Sequence, residues 1–154
     1  MTTLRAALPR RAYAKQIDSE VFTPALVVNG STIVIGSQTG AVEAALLASK
    51  TLPVGVSLRA VGDALALEIG VTPGPVRVQR VTYDPEHTTD VGAGENNGTR
   101  LREFRIVREV ETLTEQDPTP RVLMTRPSPR GLGLVILVQS MDLRIMGAAH
   151  LPPV

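Results

Sequence analysis

A chain of 154 residues that is 43% hydrophobic can bury an ordinary core and has room for one domain or one and a half. Its 16 basic and 15 acidic residues leave a net charge of +1, so composition makes no electrostatic case for a nucleic acid or an anionic membrane partner. The absence of cysteine excludes thiol nucleophiles, disulfide exchange and thiolate metal sites in this chain.

Twelve Pro and thirteen Gly among short Val/Leu runs point to a turn-rich β protein, and two Tyr, two Phe and no Trp leave few platforms for base stacking. The longest apolar run, around Leu134–Val138, is far too short to span a bilayer. Residues 1–15 carry Arg5, Arg10, Arg11 and Lys15 without the apolar segment of a secretory signal, and read as a solvated helix start.

In chain order, RRAYAKQI (10–17) has helical composition with Tyr13 and Ile17 four apart. Ala25–Val28 is an apolar, β-branched run. Asn29-Gly30 follows, suited to a type I′ turn because that turn needs positive φ at both central positions. Thr32–Ile35 supplies the returning strand. Thr39 is placed to cap a helix over 39–50 with Val42, Ala45 and Leu46 on one face and Lys50 at its C-terminal end. Period two then takes over: Val54, Val56 and Leu58 alternate, as do Leu65, Leu67 and Ile69 after a Gly62-Asp63 turn. Val76 and Val78 share one phase and Val81 and Tyr83 the other, which predicts a bulge near Gln79-Arg80. Residues 99–112 read as a long polar strand with Phe104, Ile106 and Val110 on one face, Arg105, Glu109 and Glu111 on the other, and Val107 as an apolar exception. A loop at Gln116–Pro120, a short strand at Val122–Met124, a buried strand at 132–138, a turn at Ser140–Asp142 and a last strand at Leu143–Met146 complete the chain. So many short strands favour a β-sandwich.

Thr23-Pro24 opening a buried strand, then Leu26-Val27-Val28-Asn29-Gly30 and a helix, resembles the C-terminal half of the thioredoxin fold. VFTPALVVNG (21–30), YDPEHTTDVGAGENNGTRL (83–101), ILVQ (136–139) around Val138 and GAAHL (147–151) together resemble the secreted, thioredoxin-like bacterial family known as domain of unknown function 1223. The resemblance spans about residues 10–151, and the Gly94-Glu95-Asn96-Asn97-Gly98 run is its most specific piece. It implies an α+β chain: the C-terminal half of a thioredoxin-like fold (helix, Thr-Pro strand, hairpin, helix) in residues 1–51, followed by an antiparallel β-sandwich in residues 52–154. Family members usually carry a cysteine pair in an N-terminal half, and this chain begins after it. The resemblance implies a periplasmic or secreted location, whereas the lack of a signal implies a cytoplasmic one for a complete chain.

The resemblance makes Thr23 and Pro24 a candidate ligand contact, since in that fold the proline is cis and lies beside the dithiol; without cysteines a structural turn is the simpler reading. Glu95 and Asn96 form a second candidate, with Glu95 as a ligand or base on a Gly-flanked loop and no role implied for Asn96, against a plain strand connection with Asn97-Gly98 in a type I′ turn. Asp84, Glu86, His87 and Asp90 gather oxygen ligands with one imidazole, but no calcium-loop or paired-histidine spacing accompanies them, and a polar surface loop is the expected reading. No G-x-S-x-G elbow, phosphate loop or dinucleotide fingerprint occurs. The arginines at 100, 102, 105 and 108, mixed with Glu103 and Glu109, suit a solvated strand face with cross-strand ion pairs.

These readings predict no cofactor, no catalytic residue and no metal. The expected function is a non-enzymatic binding or interaction protein of the cell envelope with a protein or peptide partner. The alternative is the C-terminal part of a thioredoxin-like thiol-disulfide oxidoreductase whose cysteine half lies elsewhere. A metal-dependent enzyme using Asp84, Glu86, His87 and Glu95 ranks third. With the flanking strand of a thioredoxin sheet missing, Ala25–Val28 presents an apolar edge. That predicts a homodimer through this edge, its coverage by residues 1–20, or completion by a neighbouring gene product.

Overall fold

Alternation of apolar residues decides most of the architecture. A computed structural model of the chain describes residues 24–49, 51–116 and 121–154. The elements run β1 (Ala25–Val28), β2 (Thr32–Ile35), α1 (Thr39–Ala48), β3 (Val56–Val61), β4 (Ala64–Ile69), β5 (Val76–Asp90), β6 (Arg100–Gln116), β7 (Arg121–Thr125), β8 (Gly133–Ser140) and β9 (Ile145–Leu151). The described residues are mostly β, all strand neighbours are antiparallel, and α1 is the helix among them, an α+β composition. The helix expected at 10–17 and the 1–20 segment expected over the β1 edge lie outside the described residues, as do Thr23, Lys50 and 117–120.

Three sheets form: β1-β2, β3-β4-β7 and β6-β5-β8-β9. Leu65, Leu67 and Ile69 of β4 meet Val76 and Val78 of β5 and Leu134, Ile136 and Val138 of β8 in one buried cluster, with Val54 at its edge. The larger two sheets therefore face each other across a common core. Each such side chain stabilises the fold by roughly 1.5–3 kcal/mol through burial.

The phase change in β5 has a different cause from the one expected. Against β8 the register runs unbroken from Val76↔Ser140 to Tyr83↔Gly133, so β5 itself carries no extra residue there. Val76, Val78, Arg80 and Thr82 all face the core side and are buried. Val81 and Tyr83 are buried on the opposite face. The register shifts lie between β5 and β6, at Val78/Gln79 and Thr82/Tyr83. The pairs Val78↔Thr114 and Gln79↔Thr112 leave out Leu113, and Thr82↔Glu109 and Tyr83↔Val107 leave out Arg108. The bulges belong to β6.

Arg80 interrupts the apolar row, and its guanidinium is fully buried. It donates to the carbonyls of Arg126 (3.4 Å) and Pro127 (3.0 Å) and to the Glu109 carboxylate (3.1 Å). Arg126 in turn pairs with Glu109 and Glu111, each at 3.1 Å. A buried cation is tolerated only with such partners.

The β1–β2 hairpin is tied to the turn between β8 and β9. Asn29 and Gly30 both adopt positive φ (50° and 69°), and the Ser31 amide donates to the Val28 carbonyl at 3.1 Å. The Ile145 amide donates to the Asn29 carbonyl at 2.9 Å, and a Cβ on Gly30 would overlap the Leu143 carbonyl oxygen. Glycine is required there twice, for its dihedral and for the close approach. α1 packs on β1 and β2 but buries none of its residues; Val42 and Ala45 are half-buried, and Leu46 and Leu47 are exposed. Thr39 is the first helical residue rather than the cap. Gln38 holds the cap position without a side-chain hydrogen bond, and the helix stops at Ala48. The final strand starts two residues later than expected, at Ile145, and runs on to Leu151.

Candidate functional site

The residues singled out in the sequence do not converge. Pro24 is exposed just before β1, and its carbonyl accepts from the Gly36 amide at 2.7 Å, closing the mouth of the hairpin. Glu95 and Asn96 are exposed at the tip of the β5–β6 hairpin. Here the Asn97 amide donates to the Gly94 carbonyl (3.1 Å), and the Thr99 amide to the Asn96 carbonyl (3.0 Å). Gly98 has φ 80°, while Asn97 does not share its sign, so Asn96–Thr99 follows the type II pattern and not the type I′ turn expected. The β1–β2 turn is anchored beside Ile145, near the Val76 end of β5, whereas this tip lies beyond its Asp90 end. A 15-residue strand spans about 45 Å at ~3.3 Å per residue, too far for the four-residue β1 to bridge.

The stretch from Asp84 to Asp90 is strand, not loop. β8 accompanies β5 only as far as Tyr83, yet β5 continues to Asp90 paired with β6 alone. Residues 84–90 and 100–106 therefore form a two-stranded ribbon projecting past the sandwich, with no strand on either outer edge among the described residues. Isolated two-stranded ribbons are marginal in water. This one is laced by ion pairs: Glu86 with Arg102 through both oxygens (2.6 and 2.8 Å), Asp84 with Arg108 (2.6 Å) and Asp90 with Arg100 (3.6 Å). Thr89 donates to Glu103 at 3.3 Å, and His87 Nδ1 lies 3.4 Å from Asp84. The Arg108 hydrogen bond holds the Asp84 carboxyl below its ordinary range, with a further contribution from the Glu86 amide. Arg102 does the same to Glu86, which raises the Arg102 guanidinium in return.

These pairings answer the metal reading. Asp84, Glu86 and Asp90 are each paired with a guanidinium group, Glu95 lies apart from them at the hairpin tip, and among the described residues no three His, Asp or Glu side chains come together at metal-binding distance. The ribbon also exposes apolar surface. Phe104 is 61% exposed, with Arg102 stacked 5.0 Å from its ring centroid, and Leu101 is exposed beside the tip.

At the ribbon's root lies a pair that sequence reading missed. The Tyr83 hydroxyl is 2.6 Å from Nε2 of His150 on β9, with the rings 5.8 Å apart. Tyr83 lies across Gly133, where a Cβ would overlap its ring. The two polar partners are 67 positions apart, and no local pattern joins them. The one available signal was that this chain has only two tyrosines and two histidines.

The sequence model of a family of proteins of unknown function, DUF1223, matches residues 6–139. The chain belongs to that family. Among solved structures, the crystal structure of protein AGR_C_4864 from Agrobacterium tumefaciens matches with a TM-score of 0.75 at 23% identity, over 93% of this chain and 68% of that one. That likeness shows a shared fold. No curated protein matches the DUF1223 chain. No described helix is long and apolar enough to cross a membrane.

Proposed function

We propose that this DUF1223 protein is a non-enzymatic binding or interaction protein of the cell envelope, engaging a protein or peptide partner through the β5–β6 ribbon. The observation that carries the reading is the ribbon itself: seven residue positions of β5 beyond the sandwich, open backbone edges, and Phe104 presented on one face. An extended partner segment can add to such an edge, main-chain hydrogen bonds supplying affinity and Phe104 supplying a side-chain contact. The envelope location rests on the family resemblance alone. The thioredoxin-like assignment of the N-terminal part rests on the order strand, Asn-Gly hairpin, strand, helix with Pro24 leading in. In the same reading the outer edge of β1 pairs with a second copy, and sedimentation at micromolar concentration is expected to give a dimer; a monomer overturns that part.

The test is a chain in which residues 86–103 are replaced by a two-residue Asn-Gly turn, compared with the full chain carrying a photo-crosslinking amino acid at position 104. Crosslinking to one defined envelope partner, abolished by unlabelled full-length chain but not by the shortened one, supports the reading. Equal competition by both overturns it.

A second reading makes the chain the C-terminal part of a thioredoxin-like oxidoreductase whose cysteine-bearing half lies elsewhere. It draws on the solved relative, part of whose length has no counterpart in the match. The intact mass of the protein from its native source tests it: a mass near 16.4 kDa removes a cysteine half carried on the same chain, and one larger by about half a domain replaces the first reading.

A further inference from the structure

The outer face of the four-stranded sheet holds a cleft of about 380 Å³ beside the Tyr83–His150 pair. Its floor is apolar, from Val81 of β5, Val107 of β6, and Val135 and Leu137 of β8. Arg105 stands on its rim. The volume falls in the range of small-molecule pockets, and an apolar lining with a few polar groups is their usual composition.

Two features set Arg105 apart from the other arginines of β6. Arg100, Arg102 and Arg108 each pair with a carboxylate, whereas Arg105 has no ion pair or hydrogen bond among the described residues. Its backbone is also left-handed, with φ 52°, a conformation that side chains other than glycine rarely adopt and that recurs at ligand sites. The left-handed turn comes opposite Pro85, between the pairs Asp84↔Ile106 and Glu86↔Phe104, and Arg105 lines the cleft together with Val107, two residues on.

The Tyr83–His150 contact builds the polar wall. Gly133 leaves room for the Tyr83 ring to lie flat across β8, and His150 fixes the hydroxyl. In the tautomer in which Nε2 accepts the tyrosine proton, Nδ1 of the exposed histidine carries the other proton and is a donor. An unpaired guanidinium and an imidazole donor on the border of an aliphatic floor complement an acceptor-only anionic head on an apolar body.

We infer that this cleft binds a small monocarboxylate with an aliphatic body, its carboxylate on Arg105 and its chain over Val81, Val107, Val135 and Leu137. The inference concerns a face of the body and does not depend on the ribbon having a partner.

Octanoate is the probe, titrated into the full 154-residue chain while backbone amide and His150 ring signals are followed by NMR, with octanol and acetate as controls. Saturable shifts at Val81, Tyr83, Val107, Val135, Leu137 and His150 are expected with octanoate. Octanol is expected to bind at least tenfold more weakly, acetate without saturation. Arg105→Gln, an exposed change, is expected to weaken octanoate at least tenfold with the spectrum otherwise retained. Tyr83→Phe, which keeps the ring over Gly133, is expected to weaken it less. The inference is overturned if octanoate produces no saturable shift, if the shifts map elsewhere, if octanol binds equally, or if Arg105→Gln changes nothing.

Discussion

β5 passes through two regimes in one strand. From Val76 to Tyr83 it is packed on both faces, with β6 and β8 on either side; from Asp84 to Asp90 it has β6 alone, and every side chain from Pro85 onward is exposed. The first half is held by apolar burial and one buried cation bonded to two carbonyls and a carboxylate, the second by a ladder of ion pairs between side chains that solvent reaches. Exposed pairs contribute little individually, since solvent and salt screen them and two long side chains must be ordered. What they add to the ribbon is register: Glu86 gripping Arg102 with both oxygens fixes which residues face each other where no core does so.

That contrast sets the order of the expected effects. Leu67→Ala removes a fully buried side chain from the centre of the body and is expected to cost about 4 kcal/mol in denaturant unfolding, as cavity-forming core substitutions do. A loss below about 1 kcal/mol would show that the two sheets do not share the core described. Arg80→Ala follows at about 3 kcal/mol, because it strands the carbonyls of Arg126 and Pro127 and leaves Glu109 and Glu111 without their buried partner. Gly133→Ala forces the Tyr83 ring aside, and about 1–2 kcal/mol is expected together with a change in the His150 ring signals.

In the ribbon, Glu86→Gln is expected to leave the melting midpoint of the body unchanged while speeding amide exchange at Thr88–Asp90 and Arg100–Arg102. A drop in the midpoint as large as that of Gly133→Ala would abolish the distinction between the regions. Acid gives the smallest signal. Asp84 and Glu86 have folded pKa values below their ordinary 3.8 and 4.5, so their stabilisation is complete above those values and is lost as pH falls through the lower folded ones. Ribbon amides should therefore lose protection as pH falls below about 4, with body amides following later.

Local patterns were legible where one stretch decides its own shape. Asn29-Gly30 and Gly62-Asp63 each announced a turn, and the alternation of Leu65, Leu67 and Ile69 announced the buried face of β4. Patterns shared between distant stretches were not. The phase change at Val81 reads as a bulge in β5, but Arg80 keeps the alternation by finding partners at Glu109, Arg126 and Pro127, none of them near it in sequence. The proline, carboxylates and histidine of 84–90 read as loop because their strand pairing depends on arginines across the hairpin. Asn97-Gly98 misled for a smaller reason, since positive φ at Gly98 alone satisfies the turn there. Among the candidate site residues, the chemistry of each side chain was plain from the sequence, and their separation to opposite ends of β5 was not.

The juxtaposition of Pro85 and Arg105, between the pairs Asp84↔Ile106 and Glu86↔Phe104, has a mechanical side. β5 is continuous, so a pull on the tip at Asn96 runs along one backbone toward Val78 in the core. Pro85 offers no amide to the ladder, and its opposite number is in left-handed backbone, so cross-strand bonding is thinnest at that level. Two residues rootward, Tyr83 is clamped between Gly133 and His150; the next residue tipward, Glu86, holds Arg102. A sideways load on the tip is therefore absorbed between two stiff segments at Pro85–Arg105, which makes the ribbon a lever with its fulcrum at the rim of the Arg105 cleft.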